Sequence, residues 1–217
     1  MDTIMEIILL IPILLLSLSF HEYSHGKVSN MLGDPTPKIM GRLTLNPLAH
    51  LDLVGSLTLI ITRRIGWAKP VPINPRYYKN PKQGMMLVGL AGPAANAILA
   101  LLFSILLKIV FNAAGLNIDS ELKIYGSHPI SVFTEVTINF IFLAIIINLS
   151  LFVFNLLPIP PLDGSKILAG FLPPRFNRYF YQLEGPLGMF IIIIMAISGI
   201  LGNIIGPIIS FLLNLLL

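Results

Sequence analysis

Four stretches of this chain stay largely apolar for about 20 residues or more, the length at which a helix crosses the hydrocarbon core of a bilayer. They cover residues 4–32, 84–112, 130–157 and 186–217. Charged residues make up 11% of the 217, against about 25% in a soluble domain, so most of the surface must face something other than water. The reading that follows is an all-α polytopic membrane protein with about four to five transmembrane helices. A partly embedded β-hairpin or re-entrant loop is expected at 38–83. One membrane-embedded domain, 1–217, accounts for the whole length.

The first span is apolar to Phe20 and then turns polar at His21-Glu22-Tyr23-Ser24-His25; Gly33, Asp34, Pro35 and Pro37 end it. It begins with Asp2 and Glu6 and lacks a basic leader region, so a retained helix is expected rather than a signal peptide. The 38–83 region is rich in Pro, Gly and Asn. Within it Arg42–Leu45 and Ser56–Thr62 have strand-like composition, and Ala68–Pro81 reads as extended. Non-helical backbone at membrane depth needs protein or water around it, so this region is expected to pack beside the polar cluster. Small residues (Gly84, Gly89, Ala91, Gly92, Ala94, Ala95, Ala97) open the second span and let helices approach closely. The third span runs into a Pro-rich turn at 158–164. The stretch 186–217 breaks near Gly199–Asn203, and one broken helix or two short ones both fit.

The cations are concentrated in two loops. Lys38, Arg42, Arg63, Arg64, Lys69, Arg76, Lys79 and Lys82 lie in the first, and Lys166, Arg175 and Arg178 follow the third span; Lys123 stands alone against Asp119 and Glu121 between the second and third. By the positive-inside rule the two basic loops face the cytoplasm and the N-terminus faces outward, in a multi-pass cell-membrane protein. The net charge of +4 is explained this way, with no nucleic-acid partner. The absence of cysteine excludes disulfides and thiolate metal sites.

His21 and His25 are four residues apart and share one helix face, where both imidazoles can bind one metal ion. Glu22 projects beside them and can take a proton from water held there. A lone histidine near a helix end is more often a structural hydrogen-bonder, but three ionisable groups at the end of a membrane span are costly to bury and usually functional. A catalytic zinc takes three protein ligands and keeps an open position. His50, Asp52, His128, Glu135 and Asp163 are the candidates for the third. His128 and Glu135 fall on the opposite face of the membrane. Asp163 follows the Pro-rich turn at the depth of His21 and His25, so it is taken as the ligand, although an Asp-Gly pair alone reads as an ordinary turn.

His21-Glu22-Tyr23-Ser24-His25, with Asn155-x-x-Pro158-x-Pro160-x-Leu162-Asp163-Gly164, resembles the paired signature of the site-2 protease family of intramembrane zinc metalloproteases. Gly92-Pro93-Ala94-Ala95-Asn96 resembles a further element of that family. Asn46-Pro-Leu-Ala-His50-Leu-Asp52 and Gly66-Trp-Ala-Lys69-Pro-Val-Pro72 resemble its short members. The likeness covers roughly 15–170 and is to a short form, with no PDZ or CBS segment evident. It implies His21, His25 and Asp163 as ligands of one Zn²⁺ per chain, and Glu22 as catalytic base.

Asn155 is a candidate to hold the scissile carbonyl or stabilise the oxyanion; helix-to-helix bonding is the even alternative. For Asn96 a structural role is favoured over lining the site. His50 and Asp52 either line the active-site mouth or hydrogen-bond each other to order the loop. The expected function is an intramembrane zinc endopeptidase that cuts transmembrane substrate proteins near the cytoplasmic side, as in regulated intramembrane proteolysis. The alternative is an intramembrane metal-ion or proton transporter. The bilayer and a membrane-protein substrate are the expected partners, and a homo-oligomer is left open.

Overall fold

The computed structural model describes residues 3–52, 55, 68–118, 124–126, 131–173, 176 and 183–217. The first helix, α1, is Thr3–Met31 and carries Pro12 inside it. Ile13, Ser17, His21, His25 and Ser29 are all buried, and their four-residue spacing puts them on one stripe of α1. Ile8, Ile11 and Leu16 are exposed, as suits a face turned to lipid.

Asp34 closes the end of α1. It is fully buried and accepts hydrogen bonds from Ser29 Oγ (2.7 Å), Thr36 N (2.9 Å) and Asn74 N (2.7 Å). Ser29 spends its single proton on this carboxylate, so the Tyr78 hydroxyl, 2.7 Å away, must donate to Ser29. Burial alone would raise the Asp34 carboxyl; the bonds from Thr36, Asn74 and Ser29 hold it below its ordinary value. A four-residue helix, α2 (Thr36–Ile39), and two 3-10 turns, Pro47–Ala49 and Pro75–Tyr77, shape the loop that follows. An asparagine side chain caps each 3-10 turn.

The β-hairpin expected at 38–83 is not supported. Arg42–Leu45 is irregular, and Ser56–Thr62 lies outside the described residues. Within the described part of the loop, one isolated antiparallel bridge joins Leu51 to Ala68. Around that bridge, Pro47, Pro70, Pro72 and Pro75 have no N–H to give to a ladder. Of Ala68–Pro81, expected to be extended, residues 69–74 form no regular element and Pro75–Tyr77 is a 3-10 turn; the Arg42 guanidinium braces the stretch by donating to the carbonyls of Lys69 (2.6 Å) and Pro70 (3.2 Å).

The long helix α3 is Pro81–Ala113, with Asn80 as its N-cap. Its buried residues Gly84, Val88, Gly92, Asn96, Ala100 and Ser104 recur every four positions, a narrow, small-residue stripe against which α1 and α4 can pack. A short antiparallel pair follows, β1 (Leu116–Ile118) and β2 (Ile124–Gly126), with Asn117 opposite Tyr125. Helix α4 (Val132–Asn155) packs on α3, and Ala100, Leu107 and Phe111 meet Ile138, Ile141 and Ile145 in the largest apolar cluster.

After α4 the chain turns through Leu156–Leu162 into a short helix, α5 (Asp163–Phe171). Helices α6 (Pro186–Ile197) and α7 (Ile200–Leu216) are bent by 74° at the break between them. Among the described residues, three helices are long and apolar enough to cross a membrane (within α1, α3 and α4), or four if the bent pair counts as one span, against the four to five expected. The chain is a multi-pass membrane protein.

Candidate metal centre

His21 and His25 are presented by the buried stripe of α1, and Asp163 by the first residue of α5. The two segments are 138 or more residues apart in sequence, and the turn after α4 brings them together. His21 Nε2 lies 3.1 Å from Asp163 Oδ2, His25 Nε2 lies 3.0 Å from the same oxygen, and the two Nε2 atoms are 3.0 Å apart. All three side chains are buried.

The outer partners fix the donor at each Nδ1. The Val88 carbonyl can only accept, so His25 Nδ1, 2.6 Å away, carries a proton, and in the neutral ring its Nε2 is left bare. His21 Nδ1 meets Asn96 Oδ1 at 2.6 Å. That amide is oriented by its other end: Asn96 Nδ2 donates to the Ser17 carbonyl (3.3 Å) and to Asn148 Oδ1 (2.9 Å). Asn148 is oriented in turn, donating to Ser17 Oγ and the Ala144 carbonyl, both at 2.9 Å. His21 Nδ1 is therefore also a donor, and in the neutral ring His21 Nε2 is bare.

With both rings neutral, two imidazole lone pairs and a carboxylate oxygen converge at 3.0–3.1 Å. Lone pairs gathered this closely call for a shared cation among them, a proton or a metal ion. Zinc bound tetrahedrally by N and O donors at about 2.0–2.1 Å spaces its ligand atoms by roughly 3.3 Å. The donor set, its spacing and the outer hydrogen bonds fit that ion. Gly92 supplies a further sign of fit. A Cβ at that position would lie 2.6 Å from His21 Nε2 and would also collide with His25 Nε2, so α3 keeps the space beside the cluster free of side chain.

Glu22 is buried next to the cluster, and the Val71 N–H donates to its Oε2 at 2.9 Å. The extended Pro-rich segment thereby fixes the carboxylate. His21, Glu22, His25 and Asp163 all line one cavity of about 1340 Å³, mostly apolar, walled by α1, the end of α4 and the α6–α7 pair. Asn155 lines it too and donates to the Leu151 carbonyl of its own helix at 2.9 Å. Lys166 lines it and places Nζ 2.9 Å from Asp163 Oδ1.

Asn96, for which a structural role was favoured, is a fully buried hydrogen-bond partner of the candidate ligand His21. His50 lines the cavity and bonds the Thr44 carbonyl through Nε2 at 2.8 Å. Of the two alternatives for this pair, His50 lines the cavity, while Asp52 Oδ1 accepts from Gly55 N at 2.8 Å and Asp52 is not among the residues that line it. Glu135 sits in the first turn of α4, at the far end of that helix from Asn155, and His128 lies outside the described residues. Sequence reasoning missed Asn148, Ser17, Val88, Val71 and Lys166. Two of these carried a readable signal: Ser17 is one helical turn from His21, and Asn148 is an amide in the middle of an apolar span. The contributions of Val88 and Val71 come from main-chain atoms and have no signature in residue type.

Comparison with known proteins gives matches that agree with this chemistry. The model of peptidase family M50 matches residues 9–198. A Bacillus subtilis protein named "Putative zinc metalloprotease YwhC" is 35% identical over 93% of this chain and 85% of its own. A Mycolicibacterium smegmatis protein named "Putative zinc metalloprotease Rip2" is 31% identical over 88% of this chain and 67% of its own. No solved structure matches the chain significantly.

Proposed function

The chain belongs to peptidase family M50 and is a membrane zinc metalloprotease of the site-2 protease kind, and from that premise we propose that it cuts transmembrane substrate proteins inside the bilayer, near its cytoplasmic face. One observation carries the reading: His21 Nε2, His25 Nε2 and Asp163 Oδ2 converge beside Glu22 in a cavity whose walls are otherwise apolar. His21, His25 and Asp163 are the ligands of one Zn²⁺. When bound, the ion supplies Lewis acidity that polarises a peptide carbonyl and makes water nucleophilic at neutral pH.

The residues of the chain do the rest. Glu22, held by the Val71 N–H through one oxygen, keeps the other to take the proton of the attacking water and deliver it to the leaving amine. Asn155 engages the scissile carbonyl with the amide hydrogen that the Leu151 carbonyl does not use. Asn96 and the Val88 carbonyl keep both imidazoles in the ligating tautomer. The apolar walls receive a hydrophobic segment, which must unwind locally to expose its carbonyl. The basic loops support a cytoplasmic site and an outward N-terminus.

The test is a Glu22→Gln protein purified in detergent. It should hold one zinc per chain and cleave a membrane-spanning peptide at least about a hundred times more slowly. Full activity in that variant would remove Glu22 as the base. Zinc flux into liposomes that Glu22→Gln leaves intact would favour the transporter alternative.

A further inference from the structure

Lys166 stands three residues after Asp163 on α5, and the two oxygens of Asp163 are divided between different partners. Oδ2 faces both histidine Nε2 atoms, at 3.1 and 3.0 Å, while Oδ1 meets Lys166 Nζ at 2.9 Å. Exposed ion pairs of this kind contribute little, but here the carboxylate side chain is 6% exposed and the lysine 27%, so water screens the pair poorly. Among the described residues lining the cavity, Lys166 is the one lysine or arginine. Its backbone has little freedom, because α5 lies so close to α3 that a Cβ on Gly89 would come within 3.1 Å of Lys166 Cβ and 3.2 Å of the Asp163 carbonyl oxygen.

A carboxylate can give a metal one oxygen or both. Giving both would consume the position that a catalytic zinc must keep open. The two histidines already have their outer partners, Asn96 and the Val88 carbonyl; the third ligand has a cation on its outer oxygen. We propose that Lys166 is the positioning residue for Asp163: its ammonium occupies Oδ1, so Asp163 offers the metal Oδ2 alone and a place remains for the reacting groups. The inference rests on the metal-site reading above. Lys166 donates hydrogen bonds only and transfers no proton in this role.

Cobalt(II) in place of zinc reports the arrangement directly, because its visible absorption is intense with four ligands and weaker with five. The detergent-purified full chain, its Lys166→Met variant and its Lys166→Arg variant are loaded with Co²⁺ and compared. Lys166→Met should show the weaker, shifted spectrum, while Lys166→Arg, which keeps a charged donor there, should match the parent. In the zinc-loaded proteins kcat on a single-span peptide should fall about tenfold or more in Lys166→Met, with KM nearly unchanged. Failure of Lys166→Met to hold Co²⁺, restored by Lys166→Arg, would also support the role. Superimposable spectra for parent and Lys166→Met would overturn it. Equal loss of metal in both variants would overturn it as well and make Lys166 a packing residue. A parent chain that takes up no Co²⁺ or Zn²⁺ would instead remove the metal site, and this inference with it.

Discussion

Gly92 has no side chain, and the space that one would take is next to the two imidazole nitrogens. The sequence marked it as the start of the Gly92–Asn96 motif, but nothing there tied it to His21 and His25. His21, Glu22 and His25 were legible as candidates because ionisable groups in an apolar span stand out, whereas Asp163 was picked by its depth after the Pro-rich turn. Asn96 was visible as a polar residue, yet the direction of its amide follows from Asn148 and Ser17, which are distant in the chain. Gly92→Ala is the sharpest test at this scale. A methyl group there must displace at least one imidazole, and bound zinc should drop from one per chain to nearly none. Metal analysis of the purified protein, with helix content followed by circular dichroism, checks this. Full zinc occupancy would show that the cluster is looser than the structure has it.

At the scale of elements, the stripe on α1 does two jobs. The four-residue repeat of Ile13, Ser17, His21, His25 and Ser29 packs the helix, and its polar members build the site. The repeat is readable from sequence because spacing on a helix maps directly to a face. The 38–83 loop was less readable. Its β-branched residues suggested a hairpin, but its prolines deprive it of donors, and side chains hold it instead: Arg42 on two carbonyls, and Asp34 on the Asn74 N–H. That bracing delivers the Val71 N–H to Glu22. Val71→Pro deletes the donor within a segment that already has prolines on both sides. Zinc content should be retained, and kcat should fall about tenfold or more, the worth of a hydrogen bond to a charged group. Stopped cleavage assays alongside zinc analysis measure both; unchanged kcat would make the bond incidental.

For the whole molecule, the charge distribution predicts an orientation that can be read without ambiguity, because the chain has no native cysteine. Lys79 and Ala114 are both exposed, near opposite ends of α3. In sealed, correctly oriented vesicles or intact cells, a cysteine at Ala114 should react with an impermeant maleimide from outside. One at Lys79 should react only after the membrane is opened. The reverse pattern would invert the proposed topology. Membrane residence and the apolar spans could be read from sequence, since they depend on local composition; His21, Glu22 and His25 could be picked out as candidates, since they share one helix, and Asp163 only through its depth and the family resemblance. The distances among His21, His25 and Asp163, the proton positions on both imidazoles, the support of Glu22 by Val71 and the pairing of Lys166 with Asp163 came from the tertiary structure alone. Apart from the Lys166–Asp163 pair, which lies along α5, each of these needs segments from different elements to meet in one place, and packing between helices decides where they meet.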